Sequence, residues 1–259
     1  MTLNNKNNYL PKFLNKIFDI LEKHNVHFWL EAGSLLKGIR DKTILNSSDL
    51  DIATTSKNTE NILQALKELS TFGYNYKFNG GYPLLEDMVT IYLPQKINKI
   101  SHLDIYIYHE SDKFYFRRSY HKPLANSKSR YLFYLSKKIF NLKSYDITLI
   151  DYGKKKYFHF SIYKFFAKVL FLIYEYIGVT SWYVIPLKYF SNFKKFELHD
   201  RNFNIPIHSE EYLEFRYGND WTSSIDRSVW FKEWKNKNNI LKKKKLRTNL
   251  GIKKYWIKF

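Results

Sequence analysis

Apolar residues recur every three or four positions at Phe13, Leu14, Ile17, Phe18 and Leu21, so Pro11–His24 reads as an amphipathic helix. The period then drops to two. Val26, Phe28 and Leu30 alternate with His27, Trp29 and Glu31, which predicts a strand. A Gly33-Ser34 turn follows, then a short helix through Leu35, Leu36 and Ile39. Leu50-Asp51-Ile52 fits a second strand, and Ile62, Ala65, Leu66 and Leu69 a second long helix capped near Thr59. Phe72–Phe78 and Met88–Leu93 read as strands joined through the turn-forming run Asn79-Gly80-Gly81. In the next strand Leu103, Ile105 and Ile107 take one side and Asp104, Tyr106 and Tyr108 the other. The first 110 residues therefore predict helices around a sheet of about four or five strands.

The second half has a different texture. Tyr131–Phe140, Ile162–Tyr176 and Glu210–Tyr217 are aromatic-rich helical candidates. The expected class is α/β in the α+β sense, a mixed sheet with flanking helices followed by a helical, aromatic-rich C-terminal half. Residues 1–125 would form the core and residues 126–259 a region completing the site, with a basic tail over 230–259. Neither an internal repeat nor a Pro- or Gly-rich linker separates the two.

Composition narrows the chemistry. With 259 residues, 44% hydrophobic and 19% aromatic, the chain can bury a substantial core. It has no cysteine, which excludes disulfides, thiolate zinc sites and a cysteine nucleophile. Met1–Asn8 is polar, so a secretory signal is not expected, and the apolar stretch Phe165–Val179 is interrupted by Lys168 and Glu175. A spanning helix needs about 20 mostly apolar residues, so the expectation is a cytoplasmic protein.

The formal charge of +19 points to polyanionic surroundings, although Lys and Asn abundance also fits an AT-rich codon bias. Much of it lies between Lys232 and Lys258, where lysines surround Trp234 and Trp256. Such a tail fits peripheral contact with anionic membrane, nucleic-acid backbone or a solvated terminal helix.

Asp49 and Asp51 stand two apart, so on a strand both carboxylates point the same way. They repel unless a cation sits between them, and Mg²⁺ prefers such oxygen ligands together with substrate phosphate. Asp104, on the polar face of a later alternating strand, completes the set if that strand lies beside the first. Backbone N–H groups at Gly33 and Ser34, where a helix begins, would hold a phosphate. Asp104 could also take the proton of an attacking hydroxyl. The eight histidines show no H-x-x-x-H spacing and read as packed or surface residues. P-loop, dinucleotide-binding and serine-elbow motifs are all absent.

Gly33-Ser34 followed by Asp49-x-Asp51 and a later Asp104 resembles the nucleotidyltransferase superfamily. More specifically, GSLLKGIRDKTILNSSDLDI is similar to the opening signature of the LicD/fukutin phosphotransferases. Pro206–Trp221, PIHSEEYLEFRYGNDW, resembles that family's later Tyr-Leu and Tyr-Gly-x-x-Trp element. Acidic family members carry Pro-Trp-Asp before the paired acids, whereas this chain has Leu45-Asn46-Ser47-Ser48, closer to a fukutin-like serine variant.

The resemblance implies a nucleotidyltransferase-like core that moves phosphocholine or a polyol phosphate from a CDP-activated donor. The acceptor would be a hydroxyl of a surface glycan or lipid-linked glycan precursor. It also implies Mg²⁺ or Mn²⁺ on Asp49, Asp51 and Asp104, donor phosphate at Gly33 and Ser34, and assistance from Arg40. Tyr217 and Asp220 match the later element and are expected near substrate. Two other readings stay open: nucleotidyl transfer from an NTP, and a non-catalytic module whose basic surface binds nucleic acid.

Overall fold

The computed structural model describes residues 9–78, 87–97, 99–120 and 180–223. Helix α1 (Lys12–Lys23) forms where the sequence predicts it, with Leu14, Ile17, Phe18 and Leu21 buried along one stripe. It closes with Val26 N–H donating to Leu21 O at 2.9 Å, Asn25 N–H donating to Glu22 O at 2.8 Å, and Asn25 at φ 55°. This is a Schellman closure with asparagine in the left-handed position.

The chain then runs through strand β1 (Trp29–Leu30), helix α2 (Ala32–Asp41), strand β2 (Asp49–Thr55) and helix α3 (Thr59–Thr71). Three strands follow: β3 (Asn75–Phe78), β4 (Met88–Ile97) and β5 (Ile100–Glu110). Then come β6 (Phe114–Tyr120), β7 (Thr180–Pro186), a single helical turn α4 (Leu187–Phe190), the hairpin β8 (Phe193–Leu198) and β9 (Arg201–Pro206), and helix α5 (Ser209–Tyr217).

The first five strands order as β1-β2-β5-β4-β3, and β6 and β7 extend from the end of β5. Among the described strands only β2 and β5 run parallel; every other pair is antiparallel. Leu50, Ile52, Leu103 and Ile105 face one side in register and join Val89 and Ile91 in the core. Helices α1 and α3 cover that side. The fold is thus a mixed sheet with flanking helices, as its hydrophobic periods predict.

Three local differences matter for the site. Gly33 and Ser34 lie inside the first turn of α2 rather than in a preceding turn, and the residue before them, Ala32, takes φ 46°. The alternation at residues 26–31 does not separate buried from exposed positions, because Trp29 and Glu31 are as buried as Phe28 and Leu30. The β8–β9 hairpin and α5 cover what one isolated strand would leave to solvent: Asn204 Nδ2 donates to Phe28 O, and Tyr212 and Arg216 reach Glu31.

The hairpin itself was not legible as strand. Its turn residues His199 and Asp200 both adopt φ above 50°, the signature of a type I′ turn, but contain no glycine to announce it. Among the described C-terminal residues, three strands accompany the expected helix at 210–217. The candidates at 131–140 and 162–176, the 79–81 turn and the basic tail lie outside the described residues. No helix among the described residues is long and apolar enough to cross a membrane.

Candidate active site

The parallel β2–β5 pair assembles the site. Asp51 lies opposite Asp104 and Asp49 opposite His102, so four side chains from two adjacent strands share one face. The condition placed on Asp104 by the sequence, that its strand lie beside the first, is met directly. Thr90 on β4 stands opposite Asp104 on the other flank and donates to its Oδ1 at 2.6 Å.

Each acid is held differently. Asp51, only 7% exposed, accepts from Gly33 N–H through Oδ2 and from the Tyr106 hydroxyl through Oδ1, both at 3.0 Å. Its own N–H donates to Ser34 Oγ at 2.7 Å, so both residues of the Gly-Ser pair grip the strand that carries the acids. Asp49 accepts from Ser48 Oγ at 2.8 Å and more loosely from Ser47 Oγ at 3.4 Å. Lys37 Nζ donates to Ser47 Oγ at 3.0 Å. The serine-containing loop therefore orients Asp49 from below, and α2 braces the loop.

Burial, then the nearby Asp49 and Asp104 charges, push the Asp51 carboxyl up to about 7; Arg216 and the Tyr106 hydroxyl oppose the rise. Asp104 is raised mainly by burial, against the Thr90 hydrogen bond and the His102 and Arg117 charges. Carboxylates crowded onto one largely buried face this way call for a counter-cation. Asp49, His102 and Asp104 each offer one ligand atom, all within 4.8 Å of one another, which fits a divalent ion.

The remaining sequence candidates distribute unevenly. Arg40 directs Nε and Nη2 to Asp41 at 2.7 and 3.0 Å and Nη1 to Ser223 O at 3.2 Å, so its fork already has protein partners. Tyr217 is half-buried at the end of α5; burial pushes its phenol up, and the Asp51 charge adds to the rise. Gly218 follows at φ 92°, Trp221 packs half-buried against the core, and Asp220 is exposed. The late element thus puts the Tyr217 phenol within range of the Asp51 charge, while Asp220 is exposed.

Sequence reasoning missed three contributors. His102 shares the acid face because it lies two residues before Asp104, a spacing that was available but went unused for lack of a second histidine. Arg117 lies 5% exposed with its guanidinium 4.1 Å from the Tyr106 ring centre. Arg216 pairs with the fully buried Glu31 behind α2.

Gly33 has a specific steric reason to be glycine: a Cβ there would meet Asp51 Oδ2 at 3.0 Å. Gly33→Ala gains about 0.5–1 kcal/mol of helix preference, so the fold should survive. Any activity that uses the Asp51 carboxylate is expected to fall at least about tenfold because that carboxylate is displaced, as small misplacements of reacting groups are costly. Steady-state kinetics beside a urea unfolding curve would check this, and an unchanged rate in a folded variant would contradict it.

No family model matches the chain. An uncharacterised protein of Rickettsia typhi is 29% identical over 107 residues, 40% of this chain and 30% of that protein. One of Rickettsia prowazekii is 26% identical over 147 residues, 56% of this chain and 49% of that protein. The chain thus spans less than half the length of these curated relatives. Among solved structures, the lincomycin-bound lincosamide antibiotic adenylyltransferase LnuA is similar over 89% of this chain and 97% of its own, with 15% identity and a TM-score of 0.41. The antibiotic-resistance factor ANT(2'')-Ia is similar over 64% and 90%, with 14% identity and a TM-score of 0.30.

Proposed function

We propose that this chain catalyses cation-dependent transfer of a nucleotidyl group from a nucleoside triphosphate to an acceptor hydroxyl. The observation that carries the reading is the register of β2 and β5, which sets Asp49, Asp51 and Asp104 on one face above the N-terminal turn of α2. Asp49, Asp51 and Asp104 would hold the divalent cation, which supplies charge neutralisation on the transferring phosphate. The Oδ1 of Asp104 accepts from Thr90, so its Oδ2, facing the cluster, is the oxygen it would offer the cation, and the acceptor hydroxyl would lose its proton to solvent water. The acceptor oxygen bonds the α-phosphorus, the bond from that phosphorus to the bridging oxygen breaks, and pyrophosphate leaves. Gly33 and Ser34 fix the direction of Asp51, and because the Gly33 N–H donates to the Asp51 carboxylate it is not the phosphate donor that the sequence suggests.

A second reading keeps the same face and moves a substituted phosphate from a CDP-activated donor to a glycan hydroxyl. The Asp51 charge acting on the Tyr217 phenol supports it, because these residues belong to the two segments on which the LicD/fukutin resemblance rests. Against it stands the Asn46–Ser48 loop, which supplies hydroxyls to Asp49 where the acidic family members supply a carboxylate. Product analysis separates the two. Pyrophosphate released from an NTP in the presence of acceptor supports the first, and CMP released from a CDP-linked donor the second. Turnover that persists in EDTA would sink both.

The raised Asp51 carboxyl makes cation binding depend on pH. A cation must displace the proton that Asp51 retains up to about 7. The Mn²⁺-induced rise in Tm is therefore expected to be larger at pH 8 than at pH 5.5, and a thermal unfolding series checks it. Equal shifts at both pH values would show that Asp51 is already ionised at the lower one.

A further inference from the structure

The proposed reaction asks only for a divalent cation, and the acid face carries one side chain that discriminates among such ions. His102 sits opposite Asp49 in the β2–β5 register and on the same face as Asp104. Its Nε2 is 3.9 Å from Asp104 Oδ2, too long for a hydrogen bond between them. Two ligand atoms each about 2.1 Å from one cation stand roughly 3.0–3.4 Å apart, so a modest side-chain adjustment closes this gap around an ion. Asp104 is 8% exposed, and its Oδ2 receives no hydrogen bond among the described residues.

The other ring nitrogen of His102 is already occupied. Nδ1 lies 2.7 Å from Ser101 Oγ, and the Ser101 N–H donates to Ser48 O at 3.1 Å at the start of β2. One imidazole nitrogen anchored by an outer partner, with the second aimed at carboxylates, is the arrangement that orients metal-binding histidines. The same serine loop thus positions both Asp49, through Ser48 Oγ, and His102, through Ser101.

We propose that His102 Nε2 is a ligand of the active-site cation, with Asp49 and Asp104, and that the site therefore selects imidazole-accepting ions such as Mn²⁺ and Co²⁺ over Mg²⁺. Magnesium favours all-oxygen surroundings and gives up its waters reluctantly, whereas imidazole suits the later divalent ions. The inference rests on the proposed cation-dependent transfer, and it adds that the metal site is formed by the protein before nucleotide arrives.

The test uses the full chain without nucleotide. Titration with MnCl₂, followed by the electron paramagnetic resonance of free Mn²⁺, gives its affinity, and competition with MgCl₂ gives the selectivity. Binding of Mn²⁺ at least about tenfold tighter than Mg²⁺ is expected. Bound Mn²⁺ should show ¹⁴N modulation in its spin-echo spectrum. His102→Gln should remove that modulation and bring the two affinities within about threefold, and Asp49→Asn should weaken both ions.

The proposal is overturned if wild-type protein binds no Mn²⁺ without nucleotide, if bound Mn²⁺ shows no nitrogen coupling, or if His102→Gln retains it. The wild-type coupling is read without any variant, so a poorly folding substitution does not blunt the test. A parallel NTP-transfer assay on wild-type protein separates the two ideas. Transfer without nitrogen coupling rejects the histidine ligand alone. Nitrogen-coupled Mn²⁺ without transfer rejects the reaction and leaves the metal site standing.

Discussion

Asp51→Asn is expected to abolish the proposed transfer while making the folded chain more stable above neutral pH. The loss follows from position: Asp51 lies at the centre of the acid face, and removing one charged group from such a site costs on the order of 10²–10⁴-fold. The gain follows from the cost of ionising a buried carboxyl among like charges. Asp51 titrates at about 7 in place of 3.8, and that difference corresponds to about 4 kcal/mol. Relaxation and the weaker hydrogen bonding of an amide to Gly33 N–H and the Tyr106 hydroxyl reduce the expected net gain to about 1–3 kcal/mol.

The sign changes with pH in a definite way. Below about 4 the carboxyl is protonated in both states and the variant has no advantage. Between about 4 and 7 the unfolded chain gives up a proton that the folded chain keeps, so wild-type stability falls as pH rises and the variant's relative gain grows. Above about 7 the gain is complete. Urea unfolding of both proteins at pH 4, 6 and 8 reads the effect. A variant less stable than wild type at pH 8 would show that Asp51 is not strained by its neighbours.

The face that carries this strain was legible in part. Period-two patterning is a local property, so the strands around Asp51 and Asp104, and the side each acid takes, followed from the residues alone. Their adjacency did not, because pairing between β2 and β5 depends on a crossover of more than forty residues that no local signal reports. Gly33-Ser34 reads as a turn in sequence because glycine and serine favour turns. Tertiary contacts override that preference, since Gly33 is needed small against Asp51 and Ser34 is needed as an acceptor for the Asp51 N–H.

Histidine spacing alone gives His102 no metal-binding partner, whereas the β2–β5 register sets it on the face of Asp49 and Asp104. Arg40 matched a family position, yet the neighbouring Asp41 occupies its fork. Glu31 was the deepest misfit. Nothing in an alternating V-x-F-x-L run indicates that the carboxylate closing it is completely enclosed, because its covering side chains come from residues 108, 212 and 216.

That enclosure carries the largest stability effect. Glu31 is 0% exposed and accepts from Trp29 Nε1, the Tyr108 hydroxyl, the Tyr212 hydroxyl and Arg216 Nη1, joining β1, β5 and α5 at one carboxylate. Glu31→Leu is expected to destabilise the fold by about 3–5 kcal/mol, because it leaves Arg216 as a buried, uncompensated charge beside unpartnered hydroxyls. Removing both charges with Glu31→Leu and Arg216→Met should recover most of that loss, since a buried pair exchanged for well-packed apolar groups is often neutral.

Urea unfolding followed by tryptophan fluorescence measures all three proteins, and a single variant within about 1 kcal/mol of wild type would refute the account. Activity of the double variant then asks a separate question. Glu31 immediately precedes Ala32, whose φ of 46° is costly for a residue with a Cβ, and Gly33, which holds Asp51. If the buried network exists to hold that strained turn against the acids, the double variant should fold well and still transfer slowly. If it serves only to dock α5, stability and activity should return together.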